Sequence, residues 1–287
     1  MILLFGSTGY IGSEFKKQLT EQNIQFICWT NTRKTSFDEL QTLCKHQKVT
    51  VAINAAGYTG KPNVDACEKN KEETFYGNVL WPHLLSQWCS LNNIKLIHIS
   101  SGCIYTGNTL DKTGFTEEDE PNFTFKQNNC SFYSGTKALG EQAALLNNKT
   151  YICRLRIPFE NKDNSRNYIS KLLKYSKLLK AENSCSNKNQ FVRACLELYK
   201  KEIPYGIFNI VNGGSITTEQ IIHKLKNTIA KNKQFNIIDD LEFYSSCAST
   251  PRSNCVMSNK KILDYGIKMD NINDSFDKCL NDWNKNE

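Results

Sequence analysis

"ILLFGSTGYIG", residues 2–12, decides the fold: four apolar residues run straight into glycines at positions 6, 9 and 12. The apolar run reads as a buried strand and the residues after it as the start of a helix. Glycines at that junction permit a tight turn, close approach of backbone to a pyrophosphate, and close packing of helix on strand. The strand–turn–helix context turns a weak glycine pattern into a dinucleotide-binding signature. Candidate cofactor contacts are therefore Gly6, Thr8, Gly9, Tyr10, Ile11 and Gly12.

Outward from this turn, apolar runs at 25–29, 49–54, 95–100 and 150–155 read as further strands buried on both faces. Helical patterns at 11–22, 36–46, about 70–92 and 133–147 separate them. This alternation predicts an α/β fold, a Rossmann-type doubly wound parallel sheet with right-handed crossovers. Beyond residue 160 the pattern loosens. Helices are expected at 166–180 and 190–201, a strand at 206–211, a helix from Thr217 to about Ala230, and an amphipathic closing helix at 272–283. The expected division is a cofactor-binding domain over 1–160 and, over 161–287, a small C-terminal substrate-binding lobe with strands returning to the main sheet.

Composition bounds the function class. The chain has 287 residues and a formal charge of +7, but its lysines are spread along helical stretches, which argues for a solvated surface and against nucleic-acid binding. No apolar run reaches the ~18 residues a membrane helix needs. The first residues are too short and too punctuated by glycine for a signal peptide, so a cytoplasmic protein is expected. Twelve scattered cysteines form no C-x-x-C pair, and the four histidines have no ligand spacing, so no metal is expected.

The second strand is followed by "TNTRK" (30–34), which carries no acid to meet a ribose 2′-hydroxyl. Asn31 and Arg33, with Thr30 and Lys34, offer amide, hydroxyl and cationic groups suited to a 2′-phosphate, so NADPH is expected in preference to NADH. The alternative for Arg33 is a plain surface arginine. The third strand ends in "NAAG", and Asn54, Ala55, Ala56 and Gly57 are further candidate cofactor contacts, small enough to let a flat ring lie close.

Tyr133 and Lys137 form Y-x-x-x-K at the predicted start of a helix, a spacing that puts both on one face, one turn apart. An ammonium beside a phenol lowers its pKa and makes it a usable acid. Ser101, at the end of the fourth strand, supplies a hydroxyl to the same carbonyl.

With these residues in place the chain resembles the extended short-chain dehydrogenase/reductases, and within them the nucleotide-sugar 3,5-epimerase/4-reductases that complete UDP-L-rhamnose synthesis. The resemblance rests on "GSTGYIG", "NAAGYTGKPNVDACE", "SSGCIY", "FTEEDEPNF", "SFYSGTK", "RNYISK" and "PRSN", and is densest from 50 to 140. It implies a UDP-linked 4-keto-6-deoxyhexose as substrate, a homodimer, and a nucleotide-sugar 4,6-dehydratase as the source of the keto-sugar.

The C4 ketone acidifies the protons at C3 and C5, and inverting each carbon needs a base on one ring face and an acid on the other. The resemblance implies Cys103 and Lys171 as that pair, and Tyr133, Ser101 and Lys137 around the C4 oxygen during reduction. It implies a diphosphate contact for Arg252, sugar or phosphate contacts for Arg166 and Asn167, and a substrate-side loop with Thr59 and Asn63.

Cys103 as a packing thiol and Lys171 as a surface lysine are the plain alternatives. They leave open a 4-keto reductase without epimerase activity, acting on a dTDP- or other nucleotide-linked keto-rhamnose. A non-catalytic regulatory subunit on the same fold is the other alternative. Two departures stand out: an insertion "KQNNC" (126–130), expected at the pocket rim, and the stretch 182–193, expected where a nucleotide base binds.

Overall fold

The computed structural model of the chain describes residues 1–30, 32 and 35–284. Its first half runs β1 (Ile2–Phe5), α1 (Tyr10–Glu21), β2 (Phe26–Trp29), α2 (Phe37–His46), β3 (Val51–Asn54), α3 (Ala66–Lys69), α4 (Lys71–Phe75), α5 (Trp81–Leu91), β4 (Lys95–Ser101), α6 (Phe132–Ala144) and β5 (Thr150–Leu155). A π-helical turn, Tyr76–Leu80, joins α4 to α5, and a single 3-10 turn, Gly102–Ile104, follows β4.

The second half holds β6 (Pro158–Phe159), α7 (Tyr168–Lys174), β7 (Lys177–Leu179), β8 (Glu182–Asn183), β9 (Ser186–Asn187), α8 (Lys188–Lys200) and β10 (Gly206–Asn209). It ends with β11 (Ile216–Thr217), α9 (Thr218–Asn227), β12 (Asn236–Ile238), α10 (Asp240–Ser246), α11 (Lys260–Asp264) and α12 (Ile272–Asn281).

Six parallel strands form the main sheet in the order β10-β5-β4-β3-β1-β2. Successive residues of a strand face opposite sides, so β1 feeds two cores. Ile2 and Leu4 join Phe15 and Leu19 of α1 and Phe191 and Leu198 of α8. Leu3 and Phe5 join Leu40 of α2 and Trp81, Leu85 and Trp88 of α5. Truncating an aromatic as buried as Trp88 costs about 3–5 kcal/mol. Burial on both faces is why these strands are continuous apolar runs.

The strand order reverses between β1 and β3, the switch point at which open α/β sheets bind ligands beyond the carboxyl ends of their strands. The register pairs Phe5 with Asn54, which sets Gly6 beside Ala55. A separate core of Phe159, Ile169, Leu178, Ile221, Phe276 and Leu280 holds the C-terminal lobe together.

Two expectations are corrected. The helix expected at 166–180 ends at Lys174, and Lys177–Leu179 instead pair with Asn236–Ile238 as parallel strands. The stretch 182–193 is mostly interior: Ser184, Cys185 and Ser186 are buried, and α8 packs Phe191 and Val192 into the core beside α1. Of it only Asn183 lines the cavity described below.

Candidate active site

A cavity of about 970 Å³ runs from the glycine turn to the C-terminal lobe. At one end Gly9, Tyr10 and Ile11 line it, opposite Ala55, Ala56 and Gly57. Gly6 sits at φ +74°, and a side chain there would strike the Ala55–Ala56 backbone. A side chain at Gly12 would strike the Gly6 carbonyl, so Gly12 permits helix–strand packing and does not line the cavity. Thr8 is exposed on the turn. Gly9 caps α1 without a side-chain hydrogen bond, and no acid occupies the first turn. The helix therefore offers uncapped N–H groups and the positive end of its dipole, which fits a dinucleotide pyrophosphate.

Asn54 is placed differently from expectation. It is fully buried, bonded to His98 Nδ1 at 3.0 Å, and its Oδ1 accepts from Ala56 N and Trp81 Nε1, both at 3.2 Å. Its polar atoms brace the turn after β3 and do not reach the cavity. Asn31, Arg33 and Lys34 lie outside the described residues.

The middle of the cavity gathers Ser101, Cys103, Tyr133, Lys137 and Lys171. β4 carries Ser101 to the carboxyl end of the sheet, and the 3-10 turn sets Cys103 two residues on; Ser101 Oγ accepts from Cys103 N at 3.2 Å. α6 starts at Phe132 because Ser131 caps it, its hydroxyl accepting from Ser134 N at 3.2 Å. That puts Tyr133 in the first turn and Lys137 one turn later. Burial pushes the Tyr133 phenol up, while a hydrogen bond with Ser101 pulls the other way.

Lys137 is 7% exposed and donates to the Ile99 carbonyl at 2.9 Å. Burial lowers its pKa. The group that bears on the phenol is thus Ser101, with Lys137 anchored two strand residues further back, on the Ile99 carbonyl.

Burial raises the Cys103 thiol; hydrogen bonds with Ser101 and Ser134 and the charges of Arg156 and Lys137 counter it. Lys171, half-buried on α7, is lowered by desolvation first and by the charge of Arg166 second. Among the described residues no group of acids, cysteines and histidines could hold a metal ion.

Toward the lobe, Thr59, Asn63, Arg166 and Arg252 line the cavity. Both arginines tie the loop after β3 to the lobe. Arg166 Nη2 donates to Gly60 O at 2.8 Å, and Arg252 grips Asp65 through two 2.7 Å contacts. Asn167, by contrast, is fully buried: it caps α7 and donates to the carbonyls of Glu160 and Lys162. It does not line the cavity, and its role is to start the helix that carries Lys171. The inserted residues 126–130 do not line the cavity either.

Three residues escaped the reading of the sequence. Arg156, 6% exposed, lines the cavity where β5 ends, with its Nε buried and unbonded. Asn183 accepts from Arg156 Nη2 at 2.7 Å. Asn78, in the π turn, bonds both N–H and C=O of Tyr58 and reaches Thr136 on α6, fixing the loop to the catalytic helix. π turns of this kind recur at functional sites. The available signal for Arg156 was a second cation in "CRLRIPF", at the end of an otherwise apolar strand.

Comparison with known proteins agrees with this architecture. The family model described as "RmlD substrate binding domain" matches residues 1–284. A bifunctional dTDP-4-dehydrorhamnose 3,5-epimerase/dTDP-4-dehydrorhamnose reductase of Arabidopsis thaliana is 32% identical over 99% of this chain and 93% of its own length. A trifunctional UDP-glucose 4,6-dehydratase/UDP-4-keto-6-deoxy-D-glucose 3,5-epimerase/UDP-4-keto-L-rhamnose-reductase of the same plant is 31% identical over 99% of this chain, which spans 42% of that protein.

The crystal structure of the L780 UDP-rhamnose synthase from Acanthamoeba polyphaga mimivirus shares the fold, with TM-score 0.87 and 23% identity over 98% of both chains. Among the described residues no helix is long and apolar enough to cross a membrane. The chain belongs to the RmlD substrate-binding domain family, among its nucleotide-sugar 4-reductases of the epimerase/reductase type.

Proposed function

We propose that the protein converts UDP-4-keto-6-deoxy-D-glucose to UDP-L-rhamnose, inverting C5 and C3 and then reducing C4 with NADPH. The observation that carries this reading is that five groups with separate jobs line one cavity, whose far end is an uncapped helix N-terminus behind a glycine turn. NADPH, when bound, supplies the hydride to C4. Gly9, Tyr10 and Ile11 would hold its pyrophosphate, and Ala55, Ala56 and Gly57 would lie against its adenosine half.

In the epimerase steps the Cys103 thiolate removes a ring proton, the C–H electron pair moves into the C4 carbonyl, and the Lys171 ammonium returns a proton to the opposite face. Before the second carbon reacts, the thiol gives its proton to solvent and the Lys171 amine takes one up. Lys171 suits the work because desolvation brings an amine toward neutrality. In the reduction Tyr133 protonates the forming C4 alkoxide while the Ser101 hydroxyl stabilises it, and Lys137 supplies positive charge behind them. Thr59, Asn63, Arg166 and Arg252 would meet the sugar and the diphosphate, Arg252 by exchanging Asp65 for phosphate.

The keto-sugar would come from a nucleotide-sugar 4,6-dehydratase. The exposed Phe75, Leu80, Leu145 and Leu146 on the α4–α6 side support pairing with a second copy. A reaction with UDP-4-keto-6-deoxy-glucose and NADPH tests the reading. UDP-rhamnose as product supports it, and reduction only of a sugar already epimerised would reduce the activity to that of a 4-reductase.

A further inference from the structure

Arg156 is a cation in an unusual position. It is 6% exposed, its Nε is buried and unbonded, and its Nη2 donates to two neutral oxygens, Asn183 Oδ1 and the Ser253 carbonyl. Among the described residues no carboxylate forms an ion pair with it, whereas its strand neighbour Arg154 is fully paired with Glu141. A buried charge without a counter-ion is costly, so such a group is kept where an anion forms beside it.

The sheet defines what lies beside it. β4 and β5 are parallel with Ser101 opposite Leu155, so the next step brings Arg156 level with Gly102, one residue before Cys103. A side chain built on Gly102 would lie 3.6 Å from Arg156 Cδ, which places the arginine stem against the backbone of the cysteine turn. The backbone on either side is held firmly. Arg156 N donates to Ser186 Oγ at 3.0 Å, Ser186 N donates to Arg156 O at 2.7 Å, and Ile157 is forced to φ +37°, a strained value for a β-branched residue. Both Arg156 and Cys103 face the same cavity.

We propose that Arg156 is a positioning residue for the epimerase steps: its unpaired guanidinium is the fixed counter-ion that favours the Cys103 thiolate, the form that takes the substrate proton. This rests on the reading of Cys103 as one of the two proton-transfer groups. In that step sulfur gains the ring proton, the C4 oxygen gains the electron pair, the Lys171 ammonium gives its proton to the opposite ring face, and the positive charge of Arg156 is unchanged throughout.

The other groups bearing on the thiol are the hydroxyls of Ser101 and Ser134, the Tyr133 phenol, the ammonium of Lys137, and the thiols of Cys67 and Cys130. Lys137 acts in the same direction as Arg156, but burial erodes its charge, whereas a guanidinium stays charged at every working pH. The neutral thiols contribute no stabilising charge.

The test is the pH dependence of iodoacetamide alkylation at Cys103, followed by mass spectrometry of its peptide in the whole protein. Exposed Cys247 serves as the internal reference. In Arg156→Gln the Cys103 midpoint is expected to rise by about one pH unit, with roughly tenfold slower labelling at neutral pH and Cys247 unchanged. Arg156→Lys should restore much of the rate. Asn183→Asp leaves the arginine in place but gives it a carboxylate partner, and should also raise the midpoint; it decides the matter if Arg156→Gln does not fold.

Deuterium exchange at C3 and C5 should fall in step with thiolate content. Unchanged Cys103 midpoints in Arg156→Gln or in Asn183→Asp would overturn the proposal. Shifted midpoints together with full deuterium exchange by Cys103→Ala would leave the counter-ion standing and remove the epimerase reading of Cys103.

Discussion

The hydroxyl of Ser101 accepts the backbone N–H of Cys103 at 3.2 Å, so one short turn positions the groups of two different half-reactions. The same hydroxyl bears on Tyr133, countering the rise that burial gives its phenol. Ser101→Ala should therefore impair both activities. Loss of a donor to the C4 oxygen lowers the reductase kcat by about 10²-fold, and the freed turn should slow deuterium exchange at C5. A kcat loss confined to reduction would show that the turn holds Cys103 without the serine.

Tyr133→Phe removes the acid for C4 and leaves Cys103 and Lys171 in place. Reduction should drop by about 10²–10⁴-fold, while the enzyme continues to exchange C3 and C5 protons for deuterium. Proton NMR of the unreduced sugar checks this directly. Loss of both reactions together would place Tyr133 in the epimerase steps as well.

Glu141 on α6 and Arg154 on β5 form a buried pair at 2.8 Å, to which Ser100 and Tyr105 are also bonded. Both are less than 5% exposed. Glu141→Ala leaves an unpaired buried cation and should cost about 3–5 kcal/mol, read as a lower denaturation midpoint. A loss below about 1 kcal/mol would mean that the pair behaves like an exposed one.

Lys171 is lowered first by desolvation and second by Arg166. Arg166→Gln removes the like charge, so the ammonium becomes easier to keep and the Lys171 pKa rises. Less neutral amine is then present at a given pH. The limb of the epimerase pH profile that follows Lys171 should move to higher pH, by less than the shift that burial itself causes. Movement to lower pH would contradict the assigned repulsion.

Local signals carried much of the fold. The strands of the main sheet are buried on both faces, so apolar runs alone disclosed them, and "GSTGYIG" and the Tyr133–Lys137 spacing located two walls of the cavity. What failed was non-local. "ISKLLKYSKLLK" has helical periodicity throughout, yet its second half leaves the helix because Lys177–Leu179 find strand partners at Asn236–Ile238. Asn54 and Asn167 sit inside suggestive motifs, and nothing in their identity reveals that their amides are consumed by internal bonds. Arg156, Asn183 and Asp65 gain meaning only through partners many residues away: 27 between Arg156 and Asn183, and 187 between Asp65 and Arg252.

One cavity is proposed to perform proton transfer at carbon as well as reduction. This is tested most directly by incubating wild type and Cys103→Ala with UDP-4-keto-6-deoxy-glucose in D2O without NADPH, and following deuterium at C3 and C5 by NMR. Wild type should exchange at both carbons and the variant should not, while still reducing a pre-epimerised keto-sugar once NADPH is added. Exchange by the variant at the wild-type rate would contradict this reading and leave Cys103 as packing beside a 4-reductase site.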